Sequence, residues 1–159
     1  MARRTPTIPV REVMTAAPRT VFPDTSVGEL LTLFERHDFN AFPVVNASGE
    51  LCGIVTKLDL LRLLGPDERL QLPDLRVAAS RRVASLMRHG VVTIEGDEPV
   101  AVTAHLMVET GLRSLPVVYR RGRGPELVGI VSRGDLLRGL NRELLEAAQA
   151  PVVGERSVP

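Results

Sequence analysis

Two short stretches hold the side chains best placed for chemistry, Thr56-Lys57-Leu58-Asp59 and Ser132-Arg133-Gly134-Asp135. In each, a hydroxyl stands where a strand is expected to run into a helix, and a carboxylate follows three residues later. A carboxylate can accept hydrogen bonds from two vicinal hydroxyls, which is what a ribose offers. The helix N-terminus adds free N–H groups and positive potential, which suit a phosphate. Lys57 and Arg133 can add charge beside it. The same Ser/Thr-x-x-Asp pattern is also a capping box, which satisfies backbone donors with no ligand at all. The two roles can coexist.

No pattern for catalysis competes with these stretches. The sequence has no nucleophile–base pair, no paired carboxylates on one face and no Walker-type glycine loop. His37, His89 and His105 are scattered, and none has a partner at metal-ligand spacing. Cys52 sits in an apolar run and reads as a small buried hydrophobe. No catalytic residue, metal ligand or required cofactor is therefore assigned.

Both stretches belong to an internal repeat, and a repeat decides the fold. Val10-Arg11-Glu12-Val13-Met14 matches Val83-Ala84-Ser85-Leu86-Met87 at an offset of 87 − 14 = 73. Pro43-Val44-Val45 matches Pro116-Val117-Val118 at the same offset. Gly53-Ile54-Val55-Thr56 then matches Gly129-Ile130-Val131-Ser132, and Asp59 matches Asp135, at 135 − 59 = 76. The three extra residues fall in the loop around Arg120 to Pro125, where insertions are tolerated.

Each unit must build elements that hold its motif. Ser26 and Glu29 make a capping box, and Val27, Leu30, Leu31 and Phe34 line one helix face. In the second unit Pro99 suits a first helical turn, Val100, Ala104 and Met107 form the stripe, and Gly111 ends it. The runs Phe42 to Val45 and Leu51 to Val55, separated by a glycine-containing turn, read as a hairpin. Thr56 then opens a helix to about Leu64. A short helical lead-in at Arg11 to Met14 precedes the first unit. The fold class is mixed α+β, with two βαββα units packed through their sheets about a pseudo-two-fold axis. The expected divisions are a tail at 1–9, repeats at 10–65 and 83–141, a linker with little regular structure at 66–82, and a helix end and tail at 142–159.

Composition narrows the setting. Of 159 residues, 44% are hydrophobic but only 3% aromatic, so the core is aliphatic. The net charge of +1 argues against nucleic acid as a partner. One cysteine permits no internal disulfide. With no signal peptide and no apolar run of roughly 20 residues, a soluble cytoplasmic protein without a membrane partner is expected.

Taken in order and twice over, these pieces resemble the CBS family, named for the regulatory domain of cystathionine β-synthase. The resemblance rests on Val13-Met14 and Leu86-Met87, on Phe42 to Val45 and Leu115 to Val118, and on Gly53 to Asp59 and Gly129 to Asp135. It implies paired repeats that bind adenosine-containing ligands, such as AMP, ADP, ATP or S-adenosylmethionine, in clefts between them. It implies a homodimer, for which the aliphatic helices Leu58 to Leu64 and Leu136 to Leu145 leave apolar faces. It implies no catalysis.

The resemblance also assigns residues. Asp59 and Asp135 would take the ribose, and Thr56 and Ser132 the ribose or phosphate. Thr20, Val21, Phe22, Phe42, Pro43 and Val44 would flank one adenine, and Thr93, Ile94, Leu115, Pro116 and Val117 the other. For Val21, Val44, Ile94 and Val117, plain core packing is an equal alternative. Some family members carry a basic residue just before the Pro-Val-Val strand that reaches the opposite cleft. Arg113 fits, whereas the first unit has Asn40-Ala41. The Asp59 cleft is thus expected to gain Arg113 and favour phosphate, and the Asp135 cleft to bind more weakly or prefer an uncharged tail.

The function expected is a stand-alone ligand sensor that signals to a protein partner by conformational shift. The alternative is a dimerisation scaffold with vestigial clefts.

Overall fold

Ser26 and Glu29 do close a reciprocal capping box. The Ser26 hydroxyl accepts from Glu29 N at 3.2 Å, and the Glu29 carboxylate accepts from Ser26 N at 2.8 Å. The Ser26 N–H foremost, and then the Ser26 hydroxyl, donate to the Glu29 carboxylate and hold it below its usual pKa. The box starts α1 (Val27–Arg36), which buries Val27 and Leu30. The computed structural model describes residues 8–149.

The first hairpin is β2 (Ala41–Val45) and β3 (Leu51–Thr56), followed by α2 (Lys57–Leu64). The second unit repeats this with β4 (Ile94–Glu95), α4 (Val100–Thr110), β5 (Ser114–Arg121), β6 (Gly124–Ser132) and α5 (Arg133–Gln149). Helix α4 ends at Gly111, whose φ of 69° lies in the left-handed region that glycine adopts freely. Both hairpins break register at one place, between Val44 and Val45 and between Val117 and Val118. The repeat therefore extends to a local irregularity.

The sheets show how the units interlock. One has the order β1-β6-β5-β4, where β1 is Thr15–Ala16 from the lead-in of the first unit. Thr15 pairs with Ile130 and Ala16 with Gly129. The first unit mirrors this arrangement: Val21 pairs in parallel with Val44, and Arg88, from the lead-in of the second unit, pairs with Ile54. Each lead-in thus completes the sheet of the other repeat. The cores follow the same exchange. Ile8 and Val10, with Val13 and Met14, join Ile94, Val100, Leu115, Val117 and Val131. Val83, Leu86 and Met87 join Val21, Leu30, Phe42, Val44 and Val55.

Gly53 and Gly129 permit this close docking. A Cβ on Gly53 would stand 2.9 Å from Met87 Sδ and 3.0 Å from Arg88 O. One on Gly129 would meet Met14 Sδ and lie 3.1 Å from Thr15 O. Met14 and Met87 are packing residues, and each lies on the sheet of the opposite unit.

Two of the expected divisions gain detail. The linker, expected to hold little regular structure, contains one short helix, α3 (Leu75–Ser80). Asp74 caps this helix by accepting from Arg76 N and Val77 N, and Ala78 is buried. Part of the expected N-terminal tail is also packed into the fold. Ile8 is buried, donates its N–H to Glu143 Oε1 at 2.7 Å, and accepts from Val100 N at 2.9 Å. Residues 1–7 and 150–159 of the tails lie outside the described residues.

The Ile8–Glu143 bond ties the lead-in to α5 across 135 positions of sequence. Glu143→Ala strands a buried N–H, so it is expected to cost about 1–3 kcal/mol. Urea unfolding measures this directly. A midpoint equal to that of the parent would mean that the N–H finds another partner.

Candidate functional site

Thr56 ends β3 in extended conformation and caps α2. Its hydroxyl accepts from Asp59 N at 3.3 Å, while Asp59 Oδ2 accepts from Thr56 N and Thr56 Oγ1, both at 2.8 Å. The second motif repeats this geometry. Asp135 Oδ2 accepts from Ser132 N at 2.7 Å and Ser132 Oγ at 2.8 Å, and Ser132 Oγ accepts from Asp135 N at 3.3 Å. The capping arrangement is thus present twice. In both motifs it uses one carboxylate oxygen and leaves Oδ1 outside the box.

Arginines occupy that second oxygen. Asp59 Oδ1 accepts from Arg88 Nε at 3.3 Å and lies 3.9 Å from Arg62 Nη1. Among the described residues, Asp135 Oδ1 pairs with Arg138 alone. Arg62 and Arg138 are equivalent in the repeat, at 138 − 62 = 76. Arg88 has no such counterpart. Thr15 stands at its equivalent position, 88 − 15 = 73, and brings no charge. Both carboxylates are buried, with Asp59 6% and Asp135 7% exposed, so an ion pair there is less screened by solvent than one on the surface.

The other candidate cations sit elsewhere. Lys57 Nζ lies 3.6 Å from Asp38. Arg133 donates to Gly111 O at 2.8 Å and Leu112 O at 3.1 Å, which caps the end of α4. Arg113 is exposed at the head of β5, and its carbonyl accepts from Arg133 N within its own repeat. The arginine on Asp59 is Arg88, a residue the sequence reading did not single out. Arg88 escaped sequence reasoning because its signal lay in an asymmetry, the Arg88-for-Thr15 difference, and the repeat comparison looks for likeness.

The strand residues divide by face. Val21, Phe42 and Val44 lie inside the first core, and Ile94, Leu115 and Val117 inside the second. Their side chains are engaged in packing. Val21 N donates to Pro43 O at 3.1 Å, and Val45 N to Val21 O at 3.0 Å. Alternation along a strand turns Pro43 and Pro116 to the opposite face. Thr20 is half-buried, and so is Thr93, whose hydroxyl accepts from Arg120 at 3.3 Å. Phe22 is exposed. Cys52 Sγ donates to Val44 O at 3.3 Å, and burial pushes its thiol pKa up.

A cavity of about 600 Å³ lies beside α4 and β4, lined in part by Thr93, Ile94, Thr103, His105 and Arg120. It includes two of the candidate residues, Thr93 and Ile94, but neither aspartate. A second, of about 470 Å³, runs between α4 and α5 and is lined by Met107, Val108, Leu136, Leu137 and Leu140 among others. Among the described residues no helix is long and apolar enough to cross a membrane.

Comparison with known proteins matches this geometry to a family. The CBS domain matches residues 10–66 and 83–142. A CBS domain-containing protein of Dictyostelium discoideum is 35% identical over 134 residues, covering 80% of this chain and 88% of its own. The structure of CBSX2 in complex with AMP superposes with a TM-score of 0.70 at 30% identity, covering 84% of this chain and 96% of that one. The CBS domain pair of protein MJ0100, in complex with 5′-methylthioadenosine and S-adenosyl-L-methionine, gives 0.69 at 25% identity, covering 87% and 99%.

Proposed function

This chain belongs to the CBS domain family as a tandem pair, and from that premise we propose that it is a non-enzymatic regulatory module. It binds an adenosine-containing ligand at the Asp59 and Asp135 motifs and signals to a protein partner by a shift between arrangements of the two repeats. The observation that carries this reading is the twofold occurrence of a buried carboxylate with one oxygen tied into a helix cap and the other facing a displaceable arginine. A cap that fixes Oδ2 also aims Oδ1, and an aimed carboxylate oxygen is a preorganised acceptor for a ribose hydroxyl. Relatives with bound AMP or S-adenosyl-L-methionine support the ligand class.

Pro43, Pro116, Thr20 and Thr93 flank the base in this reading. The core-facing strand residues contribute backbone groups rather than side chains. The apolar groove between α4 and α5 supports a homodimer, because an exposed aliphatic face of that kind favours a partner surface.

A thermal-shift screen tests the proposal. The protein is heated with AMP, ADP, ATP and S-adenosylmethionine, and the screen is repeated on Asp59→Asn and Asp135→Asn. Asparagine keeps an acceptor for the cap and removes the charge. A ligand at about 100 times its Kd stabilises by about 2.7 kcal/mol, a shift of several degrees at this size. At least one ligand is expected to give that shift, and at least one substitution to remove it. A flat response to all four would favour a ligand-free scaffold, with both aspartates acting as helix caps only.

A further inference from the structure

Arg88 is a cation on Asp59 that the repeat does not reproduce on Asp135. Its backbone is pinned to β3, with Arg88 N donating to Ile54 O at 2.9 Å and Ile54 N to Arg88 O at 3.0 Å. Only the side chain is free to move. That side chain uses Nε on Asp59, is 47% exposed, and keeps its two terminal amino groups without a partner among the described residues. A guanidinium in this state can exchange a carboxylate for a phosphate with two parallel hydrogen bonds.

We infer that Arg88 is the specificity-determining residue of the Asp59 cleft and selects an adenosine ligand with an anionic 5′ tail. This rests on the adenosyl-ligand reading above. Without ligand, Arg88 holds Asp59 Oδ1. A ribose hydroxyl takes that oxygen, and the released guanidinium turns to the phosphate one furanose ring away. A nucleoside with no phosphate must break the same ion pair with nothing to receive the arginine. A sulfonium tail places a cation beside Arg88 and Arg62. The Asp135 cleft, with Thr15 in place of Arg88, keeps only the Arg138 pairing among the described residues, so its selection against an uncharged or cationic tail is weaker.

Calorimetric titration of AMP and of adenosine into the Asp135→Asn protein isolates the Asp59 cleft. AMP is expected to bind more tightly. Adding Arg88→Ala is expected to shrink the AMP-over-adenosine preference by about tenfold or more, the scale of a charge-assisted hydrogen bond. Adenosine should then bind as well as before or better, because Oδ1 is released. Arg88→Lys should keep part of the preference, since it retains a point charge without the fork. Three results overturn the inference while leaving the adenosyl reading intact: a preference unchanged by Arg88→Ala, equal weakening of both ligands, or loss of preference in Arg113→Ala instead. Binding of neither compound to the parent protein or to Asp135→Asn overturns the adenosyl reading, and the inference with it.

Discussion

Removal of residues 1–16 is expected to unfold the second repeat and leave the first repeat largely protected. The lead-in belongs to the first repeat by sequence and to the second by packing. Ile8 and Val10 are buried in the core built around Val100, Leu115 and Val131, and Val13 and Met14 pack against it. Each fully buried aliphatic side chain contributes about 1.5–3 kcal/mol. The truncation also removes β1 from the edge of its sheet and the Ile8 bond from Glu143. The sum is comparable to the whole stability of a small protein, about 5–15 kcal/mol. Hydrogen exchange read by mass spectrometry gives the answer peptide by peptide. Protection should vanish in α4, β5, β6 and α5 and persist in α1, β2 and β3. Loss confined to the first repeat would mean that the exchange of lead-ins is wrong.

Phe42→Ala is expected to cost about 3–5 kcal/mol of stability whether or not any nucleotide is present. The ring is fully buried and meets Phe34 edge-on, with centroids 4.8 Å apart. Phe39 adds a second edge contact at 5.6 Å. Deleting the ring leaves a cavity between α1 and the first hairpin. Phe42→Leu should recover part of the loss, because it refills volume without restoring the aromatic edges. A stability unchanged in urea, together with a drop in nucleotide affinity, would return Phe42 to the adenine slot that the family resemblance gave it.

The contrast between Phe42 and Asp59 shows how far the sequence could be read. The spacing of Thr56 and Asp59 is a local property, so the cap it forms follows from chain geometry alone. Whether Phe42 faces a ligand or a core depends on which side of β2 is covered, and period-2 alternation does not say which layer lies above. Five successive buried residues, Ala41 to Val45, show that both sides are covered. Helix α3 was hidden for a different reason. Its six residues are too short for a periodic stripe to stand out, although Asp74 was an available N-cap signal.

By itself, the sequence determined the repeat, its elements and the two motifs, because each is a matter of spacing within a few residues. The tertiary structure alone decided which lead-in completes which sheet, and hence that Arg88 stands on Asp59. The physical reason is degeneracy. Val10 to Met14 and Val83 to Met87 present nearly the same apolar face, and Gly53 and Gly129 open nearly the same gap for a methionine. Either lead-in could fill either sheet by local preference. Only the path of the whole chain, packed as one body, chooses between them.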